Sequence, residues 1–257
     1  MEHNKRFFKK RVYFLFIIVS CVFILNCSNY TSDNADDYNN HEKTIVCLGD
    51  SLTAGYGATT PGLDDKSKSY PVFLQNMVTI PVINAGVSGN TTSQGLSRVD
   101  TEVISKNPII VIINLGANDL FRGIFLSATQ DNLQTIINKL NNGYRKIYLT
   151  KFYTEAIARE MASTIGISDY SLQTNIINQY DNMYNSLALS ENVILIDDIW
   201  NGVWGIHMSD AIHPNALGYE IMANNYFNIL QPYLEENNLI LGSYYGKRGI
   251  LFFRNRK

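Results

Sequence analysis

The run from Ile109 to Leu115 is apolar at every position but Asn114. A strand with one face in water alternates apolar and polar residues. A run without alternation is buried on both faces, the signature of a central strand in a parallel sheet. Parallel neighbours need crossover connections, usually helices, so this run asks for strands and helices in alternation. Ile45-Val46-Cys47-Leu48 and Ile80-Pro81-Val82-Ile83 are shorter runs of the same kind. A coarse pass places strands at 44–48, 80–84, 109–115, 145–150 and 192–197. It places helices near 70–78, 92–105, 129–142, 171–189 and 215–234. Five such repeats predict an α/β protein: a single three-layer α/β/α domain with a five-stranded parallel sheet. Tyr180, Tyr184 and Leu187 recur at helical spacing and are expected in the core. Cys47 lies within a strand, where a buried, inert thiol is expected. Residues 152–170 lack periodicity and are expected to form a loop that shapes a substrate mouth.

Open α/β sheets carry their reactive groups at the C-terminal ends of the strands. The first apolar run leads there into Gly49-Asp50-Ser51-Leu52, a turn that lifts Ser51 clear as a candidate nucleophile. A hydroxyl needs a base to take its proton, and histidine suits that role near neutral pH. Of the four histidines, His3 sits in a basic leader and His41 in a polar linker, which leaves His207 and His213. The residue three before His207 is Trp204, whereas Asp210 stands three before His213 and can orient its ring. Asn84-Ala85-Gly86-Val87-Ser88-Gly89-Asn90-Thr91 follows another strand, and its glycines let backbone N–H groups approach a ligand. The central run ends in Gly116-Ala117-Asn118-Asp119. The N–H groups of Ser51 and Gly89 and the Asn118 amide would supply three donors for a developing oxyanion.

These four blocks resemble those of the SGNH (GDSL-type) hydrolase family. The strings Gly-Asp-Ser-Leu-Thr-Ala-Gly-Tyr-Gly (49–57), Ser-Gly-Asn-Thr-Thr (88–92) and Asn-Asp-Leu-Phe-Arg-Gly (118–123) are similar to its bacterial acyl-thioesterase/lysophospholipase and arylesterase branch. The resemblance covers about residues 44–234. It implies a flavodoxin-like strand order 2-1-3-4-5 and a serine ester hydrolase that needs no cofactor. It also implies Ser51 as nucleophile, His213 as base, Asp210 as its partner, and Ser51, Gly89 and Asn118 as the oxyanion hole. Its substrates would be acyl esters, thioesters or lysophospholipids. A carbohydrate O-acetylesterase of the same fold is the alternative within the enzyme class, and a non-catalytic surface-binding lipoprotein the alternative outside it. Asn90 stands where the branch usually has Asp, and Leu120-Phe121 where it has Gly-Leu before Arg122. The second change is expected to alter the pocket rim.

The ends of the chain carry a separate message. Lys5, Arg6, Lys9, Lys10 and Arg11 precede an apolar stretch from Val12 to Leu25, the form of an export signal and short for a spanning helix, with an uncleaved N-terminal anchor as the alternative. It closes on Asn26-Cys27, and a Ser/Asn/Asp-rich tether follows. The arrangement resembles a bacterial lipoprotein signal with Cys27 lipidated. Cys21 is the competing site, but its use would leave Val22 to Leu25 as an apolar stub. The expected division is a leader over 1–27, a tether over 28–43, the catalytic domain over 44–237 and a basic tail over 238–257. The expected location is the bacterial cell envelope, with the chain anchored to a membrane. Without residues 1–27 the chain holds 16 basic against 22 acidic residues, which argues against nucleic acid as a partner. No spacing of His, Cys or carboxylates suggests a metal site.

Overall fold

The computed structural model describes residues 43–152, 159, 163, 166, 168–242 and 244. The leader, the tether, Cys21, Cys27 and the basic residues from Lys247 onward lie outside the described residues, as does most of the expected mouth loop after Phe152. Five strands, β1 (Ile45–Gly49), β2 (Val82–Gly86), β3 (Ile110–Asn114), β4 (Lys146–Thr150) and β5 (Ile194–Ile196), form one sheet in the order β2-β1-β3-β4-β5. Every pairing is parallel. This is the architecture and strand order expected. Each residue of β1 and β3 is buried, as unbroken apolar runs require. Gly49 pairs with Gly86 on one side and Asn114 on the other, so the C-terminal ends of β2, β1 and β3 are level.

Among the described residues, seven α-helices accompany the strands: α1 (Ser51–Ala54), α2 (Tyr70–Gln75), α3 (Thr92–Glu102), α4 (Ala117–Phe121), α5 (Leu126–Leu140), α6 (Tyr170–Ser190) and α7 (Ala216–Glu236). Helix α2 packs with α7, and α3 packs with α5, which also meets α6. Side-chain caps fix three of the four long helices. Thr91 and Gln94 form a reciprocal capping box at α3, Asp169 caps α6 and Asn215 caps α7. Tyr180, Tyr184 and Leu187 are buried on α6, and the Tyr184 hydroxyl donates to the Leu115 carbonyl at 2.7 Å. Cys47 is fully buried, and that burial pushes its thiol up to about 12.

Several boundaries differ from the sequence reading, each for a local reason. Strand β2 starts at Val82 because Pro81 has no N–H for the ladder, and it continues through Asn84 and Ala85 to Gly86. Strand β5 is three residues long, preceded by Asn192 in the left-handed region (φ 52°). Helix α3 stops at Glu102 and gives way to a 3₁₀ turn over Ile104–Lys106. Helices α1 and α4 are too short to leave a periodic signature. The domain also runs past 237, where the tail was expected to begin. Thr79 N donates to Leu239 O and Leu241 N to Met77 O, and Leu239 and Ile240 are buried. Ile240 also bridges antiparallel to Val78, in the segment between α2 and β2.

Candidate active site

Strand β1 turns into α1 with almost no spare room. A Cβ on Gly49 would lie 1.9 Å from Thr53 Oγ1 and 3.0 Å from the Asn114 carbonyl, so only glycine fits. The Asp50 carboxylate then caps α1 by accepting from Leu52 N at 3.1 Å. Ser51 becomes the first residue of that helix, at the edge of a cleft of about 350 Å3. Asp50 itself is buried. Burial raises its carboxyl to about 7, helped by the Asp119 charge and opposed by the Leu52 bond and by Arg98.

His213 reaches the same cleft from a run of turns between β5 and α7. Ser209 N donates to His213 O at 2.8 Å, Met208 bridges to Pro214, and Asn215 starts α7. These contacts turn the imidazole inward, and Tyr56 packs against it with ring centroids 4.5 Å apart. Its Nε2 lies 2.9 Å from Ser51 Oγ, and its Nδ1 lies 2.8 Å from Asp210 Oδ2. Asp210 Oδ1 also accepts from the backbone amides of Ile212 (2.9 Å) and His213 (2.8 Å). Partial burial pushes the Asp210 carboxyl up, but these amide bonds and the ring outweigh it and hold it below the usual carboxylate range. An ionised carboxylate can only accept, so Nδ1 carries the ring proton and Nε2 is free to accept from Ser51. His207, the other candidate base, gives this segment its carbonyl, which accepts from Asn215 N at 2.9 Å.

The expected oxyanion groups meet at the same place. Ser51, Gly89 and Asn118 all line the cleft. Gly89 sits in the left-handed region (φ 78°), and its carbonyl accepts from Arg122 Nη2 at 2.6 Å. The Ser51 and Gly89 backbone N–H groups make no hydrogen bond to another backbone group among the described residues. Asn118 Nδ2 donates to Asn90 O at 3.1 Å and to Asp50 Oδ2 at 3.4 Å. The helix carrying Asn118 is tied down through Asp119, which accepts from Thr92 N at 2.8 Å and Thr92 Oγ1 at 2.5 Å. Apart from His213, Asp50 and Ser88, the remainder of the lining is apolar or aromatic, chiefly Leu52, Tyr56, Phe121, Phe152, Trp200 and Ile212. Phe121 thus forms part of the rim, as its place in the third block suggested. Phe152 and Trp200, just beyond the ends of β4 and β5, were not singled out as site residues. Large aromatics at strand C-termini are the signal that could have found them. Among the described residues, no group of His, Cys or carboxylates could hold a metal ion.

Comparison with known proteins identifies the family. Esterase TesA of Pseudomonas aeruginosa is 26% identical over 200 residues, spanning 75% of this chain and 90% of that protein. Thioesterase 1/protease 1/lysophospholipase L1 of Escherichia coli K12 is also 26% identical over 200 residues, spanning 76% of this chain and 86% of that protein. A crystal structure of TesA superposes with a TM-score of 0.59 at 25% identity, covering 74% of this chain and 99% of that one. The family model described as GDSL-like Lipase/Acylhydrolase matches residues 47–221, a span that holds every residue of the cleft. The chain therefore belongs to the GDSL-like lipase/acylhydrolase family.

Proposed function

We propose that this protein hydrolyses acyl esters through an acyl-enzyme on Ser51. The observation that carries the reading is the relay from Ser51 Oγ to His213 Nε2 (2.9 Å) and from His213 Nδ1 to Asp210 (2.8 Å). Ser51 Oγ attacks the acyl carbonyl while His213 Nε2 takes its proton, and Asp210 stabilises the imidazolium. The carbonyl oxygen becomes an oxyanion facing the Ser51 and Gly89 N–H groups and the Asn118 amide. His213 returns the proton to the leaving alcohol or thiol, and the bond to it breaks. A water molecule, deprotonated by His213 in turn, then releases the carboxylic acid and restores Ser51. None of these steps draws on a cofactor.

The apolar lining supports an acyl chain in the cleft, so acyl esters, thioesters and lysophospholipids are the favoured substrates. An ester and thioester panel graded by chain length tests this with the wild type and Ser51→Ala. We expect turnover that rises beyond acetyl and is lost in Ser51→Ala. Turnover confined to acetyl groups on sugars would make the protein a carbohydrate O-acetylesterase. No turnover and no reaction with a fluorophosphonate would make it a non-catalytic surface-binding lipoprotein.

The same proposal includes an exported protein held in the cell envelope by lipid on Cys27. Support comes from the basic leader, the apolar stretch and the cysteine at the apolar-to-polar boundary. Among the described residues no helix is long and apolar enough to cross a membrane. Several acyl chains on one cysteine would give stable anchoring where a single chain would not. The wild type should then partition with membranes, and Cys27→Ser should leave it soluble or unprocessed but active. If Cys21→Ser has that effect instead, the acylated residue is Cys21.

A further inference from the structure

The three oxyanion donors come from three separate segments, and one side chain bonds to two of those segments. Arg98 on α3 is nearly buried, with 11% of its side chain exposed, and does not line the cleft. Its Nη2 donates to Gly49 O at 2.8 Å, two residues before Ser51. Its Nη1 donates to Ala85 O at 2.7 Å, near the end of β2. Its Nε donates to Asn90 Oδ1 at 2.8 Å, in the residue after Gly89. The Asn90 carbonyl in turn receives Asn118 Nδ2 at 3.1 Å. The positions of the Ser51 N–H, the Gly89 N–H and the Asn118 amide therefore all lead back to one guanidinium.

We infer that Arg98 is a positioning residue that holds the three oxyanion donors in mutual register. The inference rests on the reading of Ser51 as the nucleophile. The sheet ladder already fixes Gly49 and Ala85. The loop from Ser88 to Thr91 leaves the ladder, and Arg98 Nε anchors the buried Asn90 side chain there. If Asn90 moves, the adjacent Gly89 N–H and the acceptor that aims Asn118 move with it. A displacement of about 1 Å at donors of this kind costs on the order of a hundredfold in rate. The charge of Arg98 is met by Glu102 Oε2 at 2.6 Å, one turn further along α3 and 43% exposed, because Asn90 is neutral. The contact at position 90 thus sets geometry and leaves charge balance to Glu102. Lysine cannot take over, since a single ammonium does not span three acceptors in a fixed fork.

Four variants and Ser51→Ala test this with a short aryl ester, with melting curves recorded for each. Arg98→Met should lower kcat on the order of a hundredfold with KM within about threefold, because the donors act on the transition state. Arg98→Lys should remain at least about tenfold down, and Asn90→Leu, which removes one acceptor and leaves the guanidinium, about tenfold down. Glu102→Gln should keep full kcat. A well-folded Arg98→Met protein with kcat within about threefold of wild type, or with its loss in KM alone, would overturn the inference. If Arg98→Met does not fold, Asn90→Leu decides: the expected loss supports the inference and full kcat overturns it. Turnover surviving in Ser51→Ala strikes the nucleophile assignment itself. An inactive Ser51→Ala beside an unimpaired Arg98→Met strikes only the role of Arg98.

Discussion

Ser51 stands at the end of a strand whose five residues are all buried, beside two neighbours whose ends are level with it. His213, only 2.9 Å away, comes from a succession of turns in which Asp210 and Ala211 are exposed. Ser51 is placed by the sheet, and His213 by a loop that is largely bonded to itself. Asp210 caps the amides of Ile212 and His213 and orients the ring with the same carboxylate. On the strand side, the backbone that carries Ser51 is itself tightly packed, so a substitution that shifts that backbone, as at Gly49, disturbs both fold and chemistry. On the turn side the chemistry rests on a few polar contacts near water, so it can be removed with little cost to the fold.

The largest expected effect spans both regions. Ser51→Ala and His213→Ala should each lower kcat on the order of 10⁴-fold or more, and the double variant should lose no more than either alone. Melting temperatures should hold in both, which differential scanning calorimetry checks. Asp210→Asn should lower kcat by about 10²- to 10⁴-fold, less than loss of the ring, because the Ile212 and His213 amides still have an oxygen to bond. Its stability should scarcely change, and a large drop in melting temperature would break the contrast between the two regions. Asn118→Ala should raise the barrier by roughly 3 to 4 kcal/mol, the usual cost of an oxyanion donor. A change in kcat below tenfold would remove Asn118 from the hole.

Two effects on stability belong to the strand side alone. The Asp50 carboxyl is raised by burial from its ordinary 3.8 to about 7. Its contribution to stability is therefore fully present below the unfolded value and is lost as pH rises through the folded one. Urea titrations of wild type and Asp50→Asn between pH 4 and pH 8 should show the variant gaining on the wild type by up to about 4 kcal/mol. A pH-independent difference would mean that Asp50 is ionised throughout. Gly49→Ala should cost about 1 to 3 kcal/mol of stability through the clash with Thr53 and the Asn114 carbonyl. It should also lower activity by shifting Ser51, whereas no turn-side substitution should couple the two losses in this way.

The comparison also marks what was legible in the sequence. The unbroken apolar runs of β1 and β3 announced a parallel sheet, and the blocks around Ser51, Gly89, Asn118 and Asp210–His213 each fell at or beyond a strand end. Those signals are local, a few residues long and repeated in the expected order. Arg98, Asp119 and Thr92 could not be read in the same way. Their partners across the site lie from 8 to 49 residues distant along the chain, and only the folded sheet brings them together. The state of Asp50 was hidden for a related reason, since its burial depends on what packs over α1. Phe152 and Trp200 were visible as aromatics, but their place in the cleft depends on where β4 and β5 stop.

The central claim is that Ser51 is a nucleophile activated by a base from the other region. Intact-protein mass spectrometry after brief exposure to a fluorophosphonate, followed by peptide mapping, tests it most directly. The account predicts one adduct per chain, carried on Ser51, absent in Ser51→Ala and formed far more slowly in His213→Ala. An adduct on another residue, or labelling of Ser51→Ala at the wild-type rate, would contradict it.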